Sequence, residues 1–165
     1  MQTSPTSETL IASTNIISSA VIAGATASLS AFAVPAVLNA GATTDVMLRQ
    51  WFSIFHRGKI IPIAAVATGL SHVVVSYGRW AAGRQWRGFA LGGALTAALI
   101  PFTIALVMPT NRVLAAAEAH GSSKESRLSD DKVRQLIRSW RDRNTIRCFL
   151  PLAGAAFALW NLVIV

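Results

Sequence analysis

The sequence predicts an all-α integral membrane protein, a four-helix bundle of up-down-up-down order with an amphipathic helix leading into the fourth span. Three observations predict it. The 165 residues are 53% hydrophobic and only 13% charged, with mean hydropathy +0.49, whereas soluble domains carry roughly 25% charged residues. The charges are segregated: residues 10–40, 60–78, 88–111 and 148–165 contain no Lys, Arg, Asp or Glu. A hydrocarbon core needs about 20 apolar residues in helix, so these stretches predict spans at about residues 10–38, 59–79, 88–109 and 147–165. The connections between the first three spans are short, which makes neighbours antiparallel. One membrane domain, 1–165, is expected.

The first span is read as retained. MQTSPTSET before it has no basic residue, and the run exceeds the ~7–15 apolar residues of a cleavable signal. Alternation places residues 41–59 and 112–147 on one side of the membrane. That side carries twelve of the fifteen Lys and Arg, against Arg79, Arg84 and Arg87 on the other. The positive-inside rule makes the basic side cytosolic. The tryptophans fit interfacial belts, Trp51 and Trp140 on the cytosolic side and Trp80, Trp86 and Trp160 on the other. The net charge of +8 does not argue for nucleic acid, because the basic residues flank spans. A single cysteine, Cys148, leaves no intramolecular disulfide or multi-cysteine metal site.

The long basic-side segment divides in two, a polar loop and an amphipathic helix within about residues 117–146. AHGSSKESRLS is rich in Gly and Ser and predicts a mobile loop. Ser129 followed by Asp130 and Asp131 predicts a helix start. Val133, Leu136, Ile137 and Trp140 then recur at helical spacing. This helix either runs straight into the fourth span or lies on the surface with its arginines toward anionic lipid.

Polar residues form a stripe in each span. They are Asn15, Ser19, Thr26 and Ser30; Thr68, His72, Ser76 and Arg79; Thr96, Thr103 and Thr110 beside Asn111; and Trp140, Asn144, Arg147 and Pro151. Each set falls on one side of a 3.6-residue helix. A polar group facing lipid is costly, so the stripes are expected to face inward. Taken singly, the Ser and Thr residues read as glue between helices, with GATAS and LGGA supplying small residues for close packing. Taken together with His72, Asn144 and Arg147, the stripes read as the lining of a ligand site. Pro35, Pro101 and Pro151 are expected to bend helices and free carbonyls, Pro151 that of Arg147. Asn111 follows Pro109 at the basic-side end of span 3, where a helix terminus is one reading and the edge of a site another. Trp51, His56 and Arg57 precede span 2 on that same side, so one interface gathers donors able to grip a phenolate or enolate oxygen.

Four segments carry a resemblance. They are GATASLSAFAVPAVL, QWFSIFHRGKIIPIAA, PFTIALVMPTNRVL and WRDRNTIRCFLPLAGAAFAL. In this order, and with MPTN followed by W-x3-N-x2-R, the chain resembles the anthrone oxygenase-like family of small four-span membrane proteins. The resemblance implies a fungal-type polyketide tailoring enzyme, in the endoplasmic reticulum or another endomembrane. It implies oxidation of an anthrone to an anthraquinone with O2 as co-substrate and no metal or flavin. It maps family positions onto Asn111, Trp140, Asn144 and Arg147, and onto Trp51, Gly58 and Pro62. HRG at 56–58 departs from the aromatic and small residue expected before that glycine, which puts the role of His56 in doubt.

The residues fit such chemistry. There is no dinucleotide fingerprint, and His56, His72 and His120 show no metal-ligand spacing. His72 is the expected base, as the one imidazole inside a span, with His56 as the alternative. Arg147 and Asn144 are expected to hold the oxyanion, Asn111 to orient the substrate, and Trp140 to stack on it, with Trp51, His56 and Thr103 also lining the site. The expected partners are a hydrophobic aromatic small molecule and membrane lipid, not nucleic acid; homo-oligomerisation stays open. Two other readings compete: a non-enzymatic scaffold, whose polar stripes would tolerate alanine, and a small transporter, which needs a path between Arg79 and Arg147.

Overall fold

The computed structural model describes residues 5–120 and 128–163. They fold as helices joined by short turns, with no strand among the described residues. The helices are α1 (Pro5–Ser28), α2 (Val34–Asn39), α3 (Thr44–Gly58), α4 (Ile60–Ala81), α5 (Arg87–Ala97), α6 (Leu99–Phe102), α7 (Met108–His120) and α8 (Asp130–Val163). They join into four apolar lengths fit to cross a membrane, Ser7–Asn39, Thr44–Ala81, Arg87–His120 and Asp130–Val163. Each has 33 to 38 residues, or at least about 50 Å at 1.5 Å per residue, so each exceeds the ~30 Å hydrocarbon core. The chain is thus built as a multi-pass membrane protein.

Prolines set the interruptions. A proline offers no N–H to the carbonyl four residues back. Pro62 leaves that of Gly58, where α3 ends, and Pro101 leaves that of Ala97, where α5 ends. Before Pro35 and Pro109 the helix widens into π-turns, Leu29–Ala33 and Thr103–Val107, closed by Val34 N–H to Leu29 O and Met108 N–H to Thr103 O. Pro151 alone is carried inside an unbroken helix. Left-handed glycines end two helices. Gly41 follows α2. Gly83 closes α4 in a Schellman motif, with Gly83 N–H to Trp80 O and Arg84 N–H to Arg79 O.

The amphipathic segment is continuous with the fourth span, in one helix from Asp130 to Val163. Ser129 caps it as expected, its Oγ accepting from Lys132 N–H at 3.3 Å. Its apolar face does not lie on lipid: Val133, Ile137 and Trp140 are buried in a protein core. The expectation of a mobile loop falls on residues 121–127, outside the described residues.

The chain divides into two compact units. The first comprises the described parts of Met1–Ala25, Ile61–Ile100 and Cys148–Val165. Its helices approach at glycines within LGGA, where backbone meets backbone. A Cβ on Gly92 would lie 2.8 Å from Gly154 O, and one on Gly93 3.0 Å from Gly69 O. GATAS behaves differently, because a Cβ on Gly24 would meet nothing within 4 Å. Buried Glu8 clamps Arg79, at 3.0 Å, and Arg84. Arg79 also lies over the Phe89 ring.

The second unit comprises Thr26–Ile60 and Pro101–Arg147. Val34, Met47, Trp51, Val107, Leu114, Val133, Ile137 and Trp140 form its core. Arg134 donates to Leu38 O at 3.0 Å, satisfying a carbonyl at the end of α2.

Candidate functional site

The polar stripes are buried. Asn15, Ser19, Thr26, Ser30, Thr68, His72, Ser76, Thr96, Thr110, Asn111, Trp140, Asn144 and Arg147 all lie inside, and Thr103 is half-buried. Two polar clusters result, one in each unit.

Seven of the eight residues singled out from the sequence belong to the second unit: Trp51, His56, Thr103, Asn111, Trp140, Asn144 and Arg147. Asn111 is not a helix end. It sits within α7, and its Oδ1 accepts a 2.8 Å hydrogen bond from Trp140 Nε1 on α8. Trp51 and Trp140 are not interfacial belt residues either. They are 1% and 3% exposed and meet edge to face, ring centroids 6.2 Å apart. Trp51 also stacks on Phe55 at 5.2 Å, one turn along α3. An indole is too large to leave out of a core this small, and Asn111 gives the Trp140 N–H its partner. Trp80 and Trp160 do stand exposed, as belt residues would.

Asn144 donates from Nδ2 to the Trp140 carbonyl at 2.7 Å, while its buried Oδ1 has no hydrogen-bond partner. Arg147 donates to Thr103 Oγ1 at 2.9 Å. Its Nε has no partner, and no carboxylate among the described residues pairs with it. It is 5% exposed. Trp51 Nε1 is likewise buried and unpartnered. His56 is exposed, one helical turn from Phe52 with rings 6.1 Å apart. The spacing of the stripes did not single out Arg143, which donates to Leu106 O at 2.6 Å and to Thr110 Oγ1. That carbonyl belongs to the π-turn before Pro109, and π-turns of this kind are not legible in residue spacing.

A prediction follows from the Trp140–Asn111 pair. Trp140→Phe keeps most of the ring and strands Asn111 Oδ1 without its donor. Thermal melting in detergent is expected to show a loss of about 1–3 kcal/mol. Adding Asn111→Leu should recover part of it, because both partners are then apolar.

His72 belongs to the first unit and is fully buried. Its Nε2 lies 3.3 Å from Ser19 Oγ, which lies 3.1 Å from Thr96 Oγ1. Phe89 is 6.4 Å away, ring to ring. A groove of about 450 Å³ in this unit is walled by Val66, Leu70, Val73, Tyr77, Trp80 and Trp86 and by the glycines Gly69 and Gly93. Gly93 lies against His72, since a Cβ there would come within 2.8 Å of the His72 Cβ. The groove is apolar and of ordinary ligand-site size. Among the described residues, no three His, Cys, Asp or Glu side chains gather as metal ligands.

Comparison with known proteins decides the family. The model for anthrone oxygenase matches residues 51–157, most of the chain and most of both polar clusters. The chain belongs to the anthrone oxygenase family. Among its relatives, anthrone oxygenase AgnL2 of Paecilomyces divaricatus is 32% identical over 94% of this chain and 99% of its own length. Anthrone oxygenase nsrD of Aspergillus novofumigatus is 32% identical over 96% of each. Monooxygenase hypC of Dothistroma septosporum is 33% identical over 87% of this chain and 78% of its own. No solved structure matches. With these relatives the chain is an anthrone oxygenase-like enzyme.

Proposed function

We propose that the protein oxidises an anthrone-class phenolic polyketide to the anthraquinone with O2, without metal or organic cofactor. The observation that carries this reading is Arg147, a buried guanidinium with no carboxylate beside it among the described residues. An unpaired buried cation is costly, and an anionic ligand is what repays it. The anion is the enolate of the substrate. Its oxygen takes the unused Nε–H of Arg147, and the unused Asn144 Oδ1 accepts from a phenolic hydroxyl. The Trp51–Trp140 wall supplies aromatic surface beside them.

The chemistry balances without a further oxidant. A base removes a proton from the methylene between the two aryl rings, and the C–H electron pair enters the ketone as an enolate. The enolate passes one electron to O2. Recombination of the carbon radical with superoxide, with return of the proton, gives a hydroperoxide at that carbon. Loss of water leaves the new carbonyl, so one oxygen atom enters the quinone and the other leaves as water. The protein stabilises the anion and excludes bulk water. For proton removal two imidazoles are candidates: His72, a buried imidazole beside an apolar groove of its own unit, and His56 as the alternative. The basic loops are placed on the cytosolic face of an endomembrane.

Purified protein, stripped with chelator and given emodin anthrone under ¹⁸O2, is expected to form quinone well above the no-protein rate, with one labelled oxygen. No acceleration, or a rate abolished by the chelator, sinks this reading. In the same assay His72→Gln is expected to lower kcat by about 10²-fold or more, as loss of a general base does, with His56→Gln close to wild type. The reverse pattern moves the base to His56.

A further inference from the structure

Ser19 on α1, His72 on α4 and Thr96 on α5 meet inside the first unit, none with any exposed surface. The contacts form a chain. Thr96 Oγ1 lies 2.9 Å from the Gly92 carbonyl one turn back, Ser19 Oγ is 3.1 Å from Thr96 Oγ1, and His72 Nε2 is 3.3 Å from Ser19 Oγ. The hydrogens in this chain can be counted, because a hydroxyl has only one. The Gly92 carbonyl is an acceptor, so it takes the hydrogen of Thr96. Toward Ser19, Thr96 then only accepts, and Ser19 donates. Toward His72, Ser19 in turn only accepts, so His72 Nε2 carries the N–H. A neutral imidazole has one donor nitrogen and one acceptor nitrogen. The bare nitrogen is therefore Nδ1, which is buried and without a hydrogen bond.

We propose that Ser19 and Thr96 are positioning residues that fix His72 as the Nε2–H tautomer and leave Nδ1 as the acceptor of the substrate's methylene proton. The inference rests on His72 being the base in the reading above. The substrate class is the same, an anthrone-type phenol with an acidic methylene. When Nδ1 takes that proton, the C–H electron pair stays with the substrate as enolate, and Nε2–H goes on donating to Ser19. No proton moves along the chain, because its far end is a peptide carbonyl that cannot keep one. The chain orients the ring and does not conduct. Gly154 belongs to the same device: a Cβ there would come within 2.8 Å of Thr96 Oγ1. Asn15 Nδ2, also buried without a partner, lies on the same face of α1 one turn from Ser19.

The test is ¹⁵N NMR of histidine-labelled protein in detergent, read together with steady-state kinetics. The wild type is expected to show His72 protonated at Nε2 and bare at Nδ1. Thr96→Val removes the acceptor that holds the Ser19 hydrogen, so Ser19 becomes free to donate to Nε2. The Nδ1–H tautomer should then appear. The kcat should fall roughly tenfold to hundredfold, as for a base held in the wrong tautomer, with KM within about twofold. Thr96→Ser, which keeps the hydroxyl, should restore both readouts. A wild-type spectrum with Nδ1–H, with His72→Gln inactive, overturns the hydrogen-bond chain and leaves His72 as base. The Nε2–H tautomer with His72→Gln fully active overturns the base assignment and leaves the chain. The wild-type spectrum decides the tautomer even if Thr96→Val fails to fold.

Discussion

Arg147→Met is expected to lower kcat for anthrone oxidation by about 10²–10³-fold, the usual loss when one oxyanion donor is removed. The melting temperature in detergent should hold or rise. The two halves of this expectation come from the same feature. Arg147 is 5% exposed and has no carboxylate partner among the described residues. A structural arginine would sit in an ion pair, as Arg79 does with Glu8 at 3.0 Å. Breaking such a pair strands a buried charge. Removing an unpaired one relieves a cost, and methionine fills much of the same volume. Arg147→Lys separates charge from geometry. It keeps the cation and loses the Nε–H and the planar fork, so it should fall between wild type and Arg147→Met. Equal rates in wild type and Arg147→Met would remove Arg147 from the mechanism. A collapse in melting temperature would instead make it a structural residue.

The parts of this molecule that were legible in the sequence are those set by periodicity. Lipid penalises any polar side chain turned outward, so Ser19, His72, Thr96 and Asn144 had one face available, and they are fully buried. The four apolar lengths follow from the same penalty applied to charge. The cap at Ser129 was legible because an N-cap is local. What periodicity could not supply is partner choice. Trp51 and Trp140 both lie near charge boundaries in sequence, where tryptophan commonly sits at a membrane interface. Only the fold shows them edge to face in a core, with Asn111 as the hydrogen-bond partner. The π-turns before Pro35 and Pro109 were hidden for a related reason. A proline shows which carbonyl loses its donor, not whether the helix will break, bend or widen. Glu8 stands in the polar segment ahead of the first span, where nothing local marks it for burial. Its burial between Arg79 and Arg84 depends on residues more than 70 positions away.

Gly154→Ala is expected to destabilise the first unit. The added Cβ would stand 2.6 Å from Gly92 O and 2.8 Å from Thr96 Oγ1. The first of these is backbone on a neighbouring helix, so no rotamer change relieves it. The helices must part, which costs about 1–3 kcal/mol for overpacking and also pulls Thr96 from Ser19. In a bilayer the helices have no hydrophobic drive to close again, since lipid is as apolar as leucine, and contact at small residues is what holds them. Gly24→Ala is the control of opposite sign. It lies in the interior of α1, with nothing within 4 Å of its added methyl. There alanine gains about 0.5–1 kcal/mol over glycine from chain entropy. Melting curves of the two variants against wild type should therefore move in opposite directions. If both rise, the Gly92–Gly154 contact yields to a methyl, and neither the tight crossing nor its hold on Thr96 constrains the fold.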